Sequence, residues 1–157
     1  MGVRTQGPFP ALTLPGIDGG PRPLSDAWRD GEALLLIGHR NCKTTRQTLP
    51  FLDRIHRRRG AGRCVVAILQ DDAATARELR DSLDLALDVR LEPDPYPLAA
   101  ALDLVAVPTL FLVGRDGEIE SVCEAFVRAE LESFAARLGA PAPLFAPEDD
   151  APALRPG

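Results

Sequence analysis

The sequence predicts an α/β domain built on a central mixed β-sheet flanked by helices. Two observations carry that prediction. Between residues 33 and 102, short all-apolar runs alternate with helical segments, the pattern of buried parallel strands joined by crossover helices. A turn-linked pair of strand-like segments then follows, which adds antiparallel pairing at one side of the sheet. The length of 157 residues suits one domain with its own core. An apolar fraction of 45% and a charged fraction of 26% exclude wholesale disorder and a fibrous repeat. No apolar run approaches the roughly 18 residues of a membrane-spanning helix.

Each element has its own signal. Phe9 to Leu14 reads as a short strand, followed by a Gly- and Pro-rich turn. Leu24-Ser25-Asp26 reads as a helix start, with Ser25 or Asp26 as cap. Ala33 to Ile37 is a continuous apolar run of strand length. After the polar turn Gly38-His39-Arg40-Asn41-Cys42, Lys43 to Arg59 is helical, with Leu49, Leu52 and Ile55 on its apolar face and Pro50 predicting a kink. Cys64 to Leu69 is a second buried-type strand, and Asp71 or Asp72 caps a helix running to Leu83. Val89 to Leu91 is a short third strand. Pro93 to Pro97 is a turn before a small helix at Leu98 to Leu102. Thr109 to Val113, the turn Arg115-Asp116-Gly117, and Glu118 to Ala125 form the hairpin. A last helix spans Val127 to Leu138. Residues 1–138 are thus expected to fold as one domain. Residues 139–157, rich in proline and acid, are expected to be a mobile tail that buries little.

Charge is uneven. The net charge of −5 argues against nucleic-acid binding. Yet His39 to Arg63 holds eight cationic residues against the single acid Asp53, a local +7, which leaves −12 for the rest. The Arg57-Arg58-Arg59 run reads as a solvated helix end, with a docking patch for an acidic partner as the alternative. Three cysteines are too few for a disulfide scaffold, and the odd count leaves one thiol without an intramolecular partner. Met1 to Pro15 has no cationic segment followed by a long apolar stretch, so the expectation is no signal peptide and a reducing, cytoplasmic location. No metal-ligand spacing, phosphate loop or other cofactor motif is evident.

Cys42 is the candidate reagent. It stands between a buried strand and a helix N-terminus, where free N–H groups and the positive helix pole favour thiolate over thiol. Arg40, Lys43 and Arg46 add positive charge, Thr45 lies one turn on with a hydroxyl to donate, and His39 lies three residues before as a donor or proton carrier. The bland alternative is a small buried hydrophobe. Cys64 opens a parallel strand, at the pole opposite this site, and is expected to be structural. Cys123 is expected beside Thr109 on an inward-facing alternation with Ile119, Ser121 and Ala125, a packing residue with a resolving role as the alternative.

Residues 33–52, ALLLIGHRNCKTTRQTLPFL, and 106–117, AVPTLFLVGRDG, resemble the thioredoxin-like superfamily, in particular its TlpA-like and AhpC/TSA-type redoxins. The segment ALTLPGIDGGPRPLSDAW resembles the N-terminal extension of that branch. The resemblance covers about residues 8 to 138. It implies a thioredoxin-like fold, a nucleophilic Cys42 at the start of a helix containing Pro50, and a cis peptide bond before Pro108 whose loop exposes backbone for pairing with a substrate chain. Departures matter equally. Cys-x-x-Cys is replaced by Cys42-Lys43-Thr44-Thr45, so no neighbouring thiol resolves a mixed disulfide. The peroxiredoxin pattern Pro-x-x-x-Thr-x-x-Cys meets Leu35 and His39 instead. Glutathione peroxidases resemble the Cys42/Thr45 pair, but their downstream Trp-Asn pair is replaced by Val107-Pro108-Thr109.

Three functions fit these residues. The first is a thiol–disulfide oxidoreductase that uses Cys42 alone, with Thr45, Arg46, His39 and Pro108 around it and an external thiol for release. Its partner is a thiol or disulfide protein, or a low-molecular-weight thiol. The second is a thiol peroxidase that passes through a Cys42 sulfenic acid, in an antioxidant role. The third is a non-catalytic binding module.

Overall fold

A computed structural model describes residues 2–157. Two short strands, β1 (Thr13–Pro15) and β2 (Pro21–Pro23), pair antiparallel ahead of the main sheet. The central sheet holds β3 (Ala33–Gly38), β4 (Cys64–Leu69), β5 (Asp88–Leu91), β6 (Thr109–Val113) and β7 (Ile119–Glu124), in the order β5-β4-β3-β6-β7. β3, β4 and β5 run parallel, while β6 and β7 add antiparallel pairs. Helix α1 (Lys43–Arg58) joins β3 to β4, and α2 (Ala73–Ser82) joins β4 to β5. The short α3 (Pro97–Ala101) precedes β6, and α4 (Arg128–Arg137) follows β7 and the two-residue β8 (Phe126–Val127).

Every residue of β3 is buried because both faces of the sheet are covered. Leu34 and Leu36 meet α1 and α4 through Leu49, Leu52, Ile55, Leu131 and Phe134. Leu35 and Ile37 meet the other layer, made of Phe9, Leu14, Leu24, Trp28, Leu98 and Leu102. The strand alternation thus feeds two cores. The N-terminal segment seals the second core chiefly with Phe9, whose ring stands edge-on to Trp28 at 5.7 Å and to Phe111 at 5.4 Å.

Several expectations are corrected. The strand expected over Phe9 to Leu14 is reduced to β1 and an isolated antiparallel bridge between Pro8 and Glu118; Phe9 N–H donates to Gly117 O at 2.9 Å while its ring plugs the core. Ser25 and Asp26 cap nothing; Pro23 leads directly into a 3-10 turn at Leu24–Trp28. Of the two candidate caps for α2, Asp72 accepts from Thr75 N–H at 2.8 Å. In the hairpin, a bulge at Leu112/Val113 shifts the register, so Cys123 pairs with Leu110 and Glu124 takes the place beside Thr109. The extra residue also puts Ile119 and Cys123 in different cores, which breaks the expected alternation.

The largest correction concerns residues 139–157. Leu144 and Phe145 are buried. The Phe145 ring lies 4.7 Å from Phe51 and 6.0 Å from Phe126. The Arg54 guanidinium grips the Asp149 carboxylate with bonds of 2.7 and 3.2 Å, and Arg58 donates to Pro143 O at 2.8 Å. The chain ends with β9 (Leu154–Arg155) paired antiparallel to β8. The basic helix and the acidic tail, read separately in the sequence, are partners of one another. Apolar anchors and opposite charge pack a segment that proline content alone assigns to solvent.

Candidate active site

The site is built where β3 ends. Gly38 is required there by its neighbour: a Cβ on it would lie 2.7 Å from Thr45 Oγ1 and 2.8 Å from Thr45 Cγ2. The loop from His39 to Cys42 is pinned at both ends. Cys42 N–H donates to His39 O at 3.2 Å, and Arg40 N–H donates to Asp71 Oδ2 at 3.0 Å. The Arg46 guanidinium donates to Arg40 O. Asp71, read in the sequence only as a cap candidate, is therefore the residue that holds this loop against β4.

Cys42 is the N-cap of α1, and its sulfur accepts from Thr45 N–H at 3.5 Å. On the other side, the Cys42 thiol donates to Val107 O at 3.5 Å. Val107 opens the loop to β6, and its peptide bond to Pro108 is cis. Thr109 Oγ1 donates to Ala106 O at 2.7 Å and Ala125 N–H donates to Pro108 O at 3.0 Å, so the loop is tied within itself and to the end of β7. Residues 65 positions apart are thereby brought within hydrogen-bond reach.

Two opposed influences act on the sulfur. Burial pushes the Cys42 thiol up. The Thr45 hydroxyl, the Thr45 and Thr44 N–H groups and the Arg46 charge outweigh it and leave the pKa below the usual cysteine value. Thr45 Oγ1 is buried and has no other hydrogen-bond partner. Ionisation of Cys42 would offer that hydroxyl a stronger acceptor than the neutral thiol does. His39 is beside the site, with its Nδ1 buried and unpartnered.

The other two thiols are placed differently. Cys64 sits opposite Ala33, at the start of the parallel strands and the far pole of the sheet. Burial pushes its thiol up. Cys123 lies in the core of the α1/α4 face. Burial first, then the charges of Glu130 and Glu124, push its thiol up to about 11. All three cysteines are free.

Sequence reasoning missed the segment that faces this site. Thr44 Oγ1 donates to Pro156 O at 2.6 Å, and the Arg155 guanidinium donates to Gln47 Oε1 at 3.0 Å. Only the complementarity between the basic helix and the acidic residues 148–150 hinted that the tail returns to α1.

No protein-family model and no curated protein sequence matches the chain. Solved structures do. A Chlorobium tepidum protein assigned as the thiol:disulfide interchange protein DsbE superposes with a TM-score of 0.76 at 23% identity, over 86% of this chain and 95% of that one. The thioredoxin domain of a thiol-disulfide oxidoreductase from Bacteroides vulgatus gives 0.73 at 16% identity, over 85% and 96%. A secreted Mycobacterium tuberculosis disulfide oxidoreductase homologous to Escherichia coli DsbE gives 0.69 at 16% identity, over 80% and 95%. The mixed five-stranded sheet with helices on both faces is the fold these proteins share.

Proposed function

On a thioredoxin-like fold whose solved neighbours are thiol–disulfide oxidoreductases, we propose that Cys42 is the single nucleophile of a thiol–disulfide exchange protein. One observation carries this reading. The Cys42 sulfur caps a helix, with a pKa below the usual value, and faces the Val107 carbonyl of the loop before Pro108. The Cys42 thiolate attacks one sulfur of a disulfide. A Cys42–S–S bond forms, the original S–S bond breaks, and the leaving thiolate carries away the electron pair. An external thiolate then attacks the mixed disulfide and releases Cys42 as thiolate, because Thr45 stands where a second thiol would act. Thr45 and Arg46 hold the negative charge at each stage, and His39 supplies or takes a proton at the leaving sulfur. The Val107–Pro108 loop lines up the partner backbone. Regeneration by an external thiol suits a reducing, thiol-rich compartment, and we place the protein in the cytoplasm on that ground.

The test is adduct formation. Incubation of the reduced protein with oxidised glutathione, or with a disulfide-bonded protein, should yield a mixed disulfide at Cys42 by mass spectrometry. Cys42→Ser should abolish it, and added thiol should reverse it. A Cys42 that forms no mixed disulfide while trapping as sulfenic acid at low peroxide would overturn this reading in favour of a peroxidase. A Cys42 inert to both would leave a binding module.

A further inference from the structure

The groove between the first turn of α1 and the Val107–Pro108 loop is already occupied. Residues 151–157 leave the anchored part of the tail at Asp150, whose φ of 49° turns the chain back. They then run extended along β8. Arg128 N–H donates to Ala153 O at 2.9 Å, and Leu154 and Arg155 pair with Val127 and Phe126. Beyond that pairing the segment crosses in front of α1, with Arg155 on Gln47 and the Pro156 carbonyl on the Thr44 hydroxyl. Gly157 closes on the same Val107 carbonyl that accepts from Cys42: a Cβ on Gly157 would fall 1.8 Å from that oxygen. Only a residue without a side chain fits there.

Resting on the reading of Cys42 as an exchange nucleophile, we propose that residues 154–157 are a built-in occupant of the substrate groove. The groove takes an extended protein segment with arginine before Pro-Gly, and such a segment must displace residues 154–157 to reach Cys42. Each contact used by Leu-Arg-Pro-Gly is one that an incoming chain would use: a strand partner for β8, an amide acceptor for Arg, a hydroxyl donor for the next carbonyl, and backbone access at Val107. The segment is held unevenly along its length. Phe145 and the Arg54–Asp149 pair root the tail, whereas residues 154–157 depend on a two-residue ladder and two side-chain bonds, with Leu154 63% exposed. A ladder that short is marginal by itself. The segment can therefore leave without loosening the core, and an external chain competes with it by mass action.

The experiment uses the full chain. A fluorescent peptide Ala-Leu-Arg-Pro-Gly is titrated into the wild type, Gly157→Ala and Arg155→Glu, with hydrogen exchange at residue 155, whose N–H faces β8, as a second readout. Both variants should bind the peptide about tenfold more tightly or better, because the occupied groove taxes the wild type. Both should exchange faster at residue 155 while the core strands keep their protection. Unchanged exchange, or peptide affinity equal in all three proteins, would overturn the proposal. The oxidoreductase reading fails separately. If the variants bind peptide but Cys42 forms no mixed disulfide, the occupied groove stands and the exchange chemistry falls. If Cys42 exchanges readily and the peptide never competes, only the occupied groove falls.

Discussion

Replacing Thr45 with valine should make the protein more stable and less reactive. Thr45 is fully buried and its hydroxyl has no partner while Cys42 is a thiol. A buried unsatisfied polar group costs about 1–3 kcal/mol. Valine keeps the side-chain shape and removes that cost. The tight fit against Gly38 offsets part of the gain, so about 1 kcal/mol of stabilisation is expected, a rise in Tm of about 2–4 °C for a chain of this size. The same change deprives the thiolate of a donor. A hydrogen bond to a charged group contributes about 1.5–3 kcal/mol, and sulfur sits at the weak end. The thiolate population near neutral pH, read as the rate of iodoacetamide alkylation, should therefore fall about tenfold. The pH dependence has a definite sign. The Cys42 pKa is lowered from the ordinary 9.0 in the folded state. The stability that the thiolate contributes is present above that ordinary value and is lost as pH falls through the folded one. The variant's advantage should accordingly be largest at about pH 6 and shrink by about pH 10. A Thr45→Val protein that melts earlier, with unchanged alkylation, would refute the argument. It would show that the hydroxyl serves the fold and not the sulfur.

Three further outcomes follow from the same structure. Asp53 is buried and accepts from the N–H groups of Ala86 and Leu87 at 2.7 and 2.9 Å; Asp53→Ala leaves the buried Leu87 N–H unpaired, at about 1–3 kcal/mol in chemical denaturation. Cys123, with its thiol raised to about 11, should resist alkylation in the folded protein at a pH where Cys42 reacts, as peptide mapping after labelling would show. Asp149, held at about 2 by Arg54 hydrogen bonds and the Ala146 N–H against an ordinary 3.8, has a depressed pKa. Its contribution is present above the ordinary value and is lost as pH falls toward the folded one, so hydrogen exchange near Phe145 should stay slow through mildly acidic conditions and rise only below them.

The candidate site was legible because its residues are local. Cys42, Thr45 and Arg46 sit on one turn, so spacing alone places a hydroxyl and a charge around the sulfur. Buried strands such as Ala33 to Ile37 announce themselves because both faces are covered and every position is apolar. The Leu112/Val113 bulge was not legible, since alternation along one strand carries no record of an extra residue against its partner. Asp71 looked like a cap, and only the fold brings the Arg40 N–H to it. Nothing in the sequence marks Glu92, and only the fold shows it holding the start of α3 through the N–H groups of Leu98 and Ala99.

The sequence by itself determined the α/β class, the strand-to-helix junction at Cys42 and the absence of a second cysteine in the turn that follows it, because periodicity and spacing are properties of consecutive residues. Only the tertiary structure decided that Val107 O meets the Cys42 thiol and that residues 139–157 fold back onto α1. The physical reason is the same in both cases. A hydrogen bond across 65 positions and a ring packed on a distant helix depend on where the chain returns, and composition assigned that returning segment to solvent while Phe145, Asp149 and Gly157 each found a partner of fitting shape or charge.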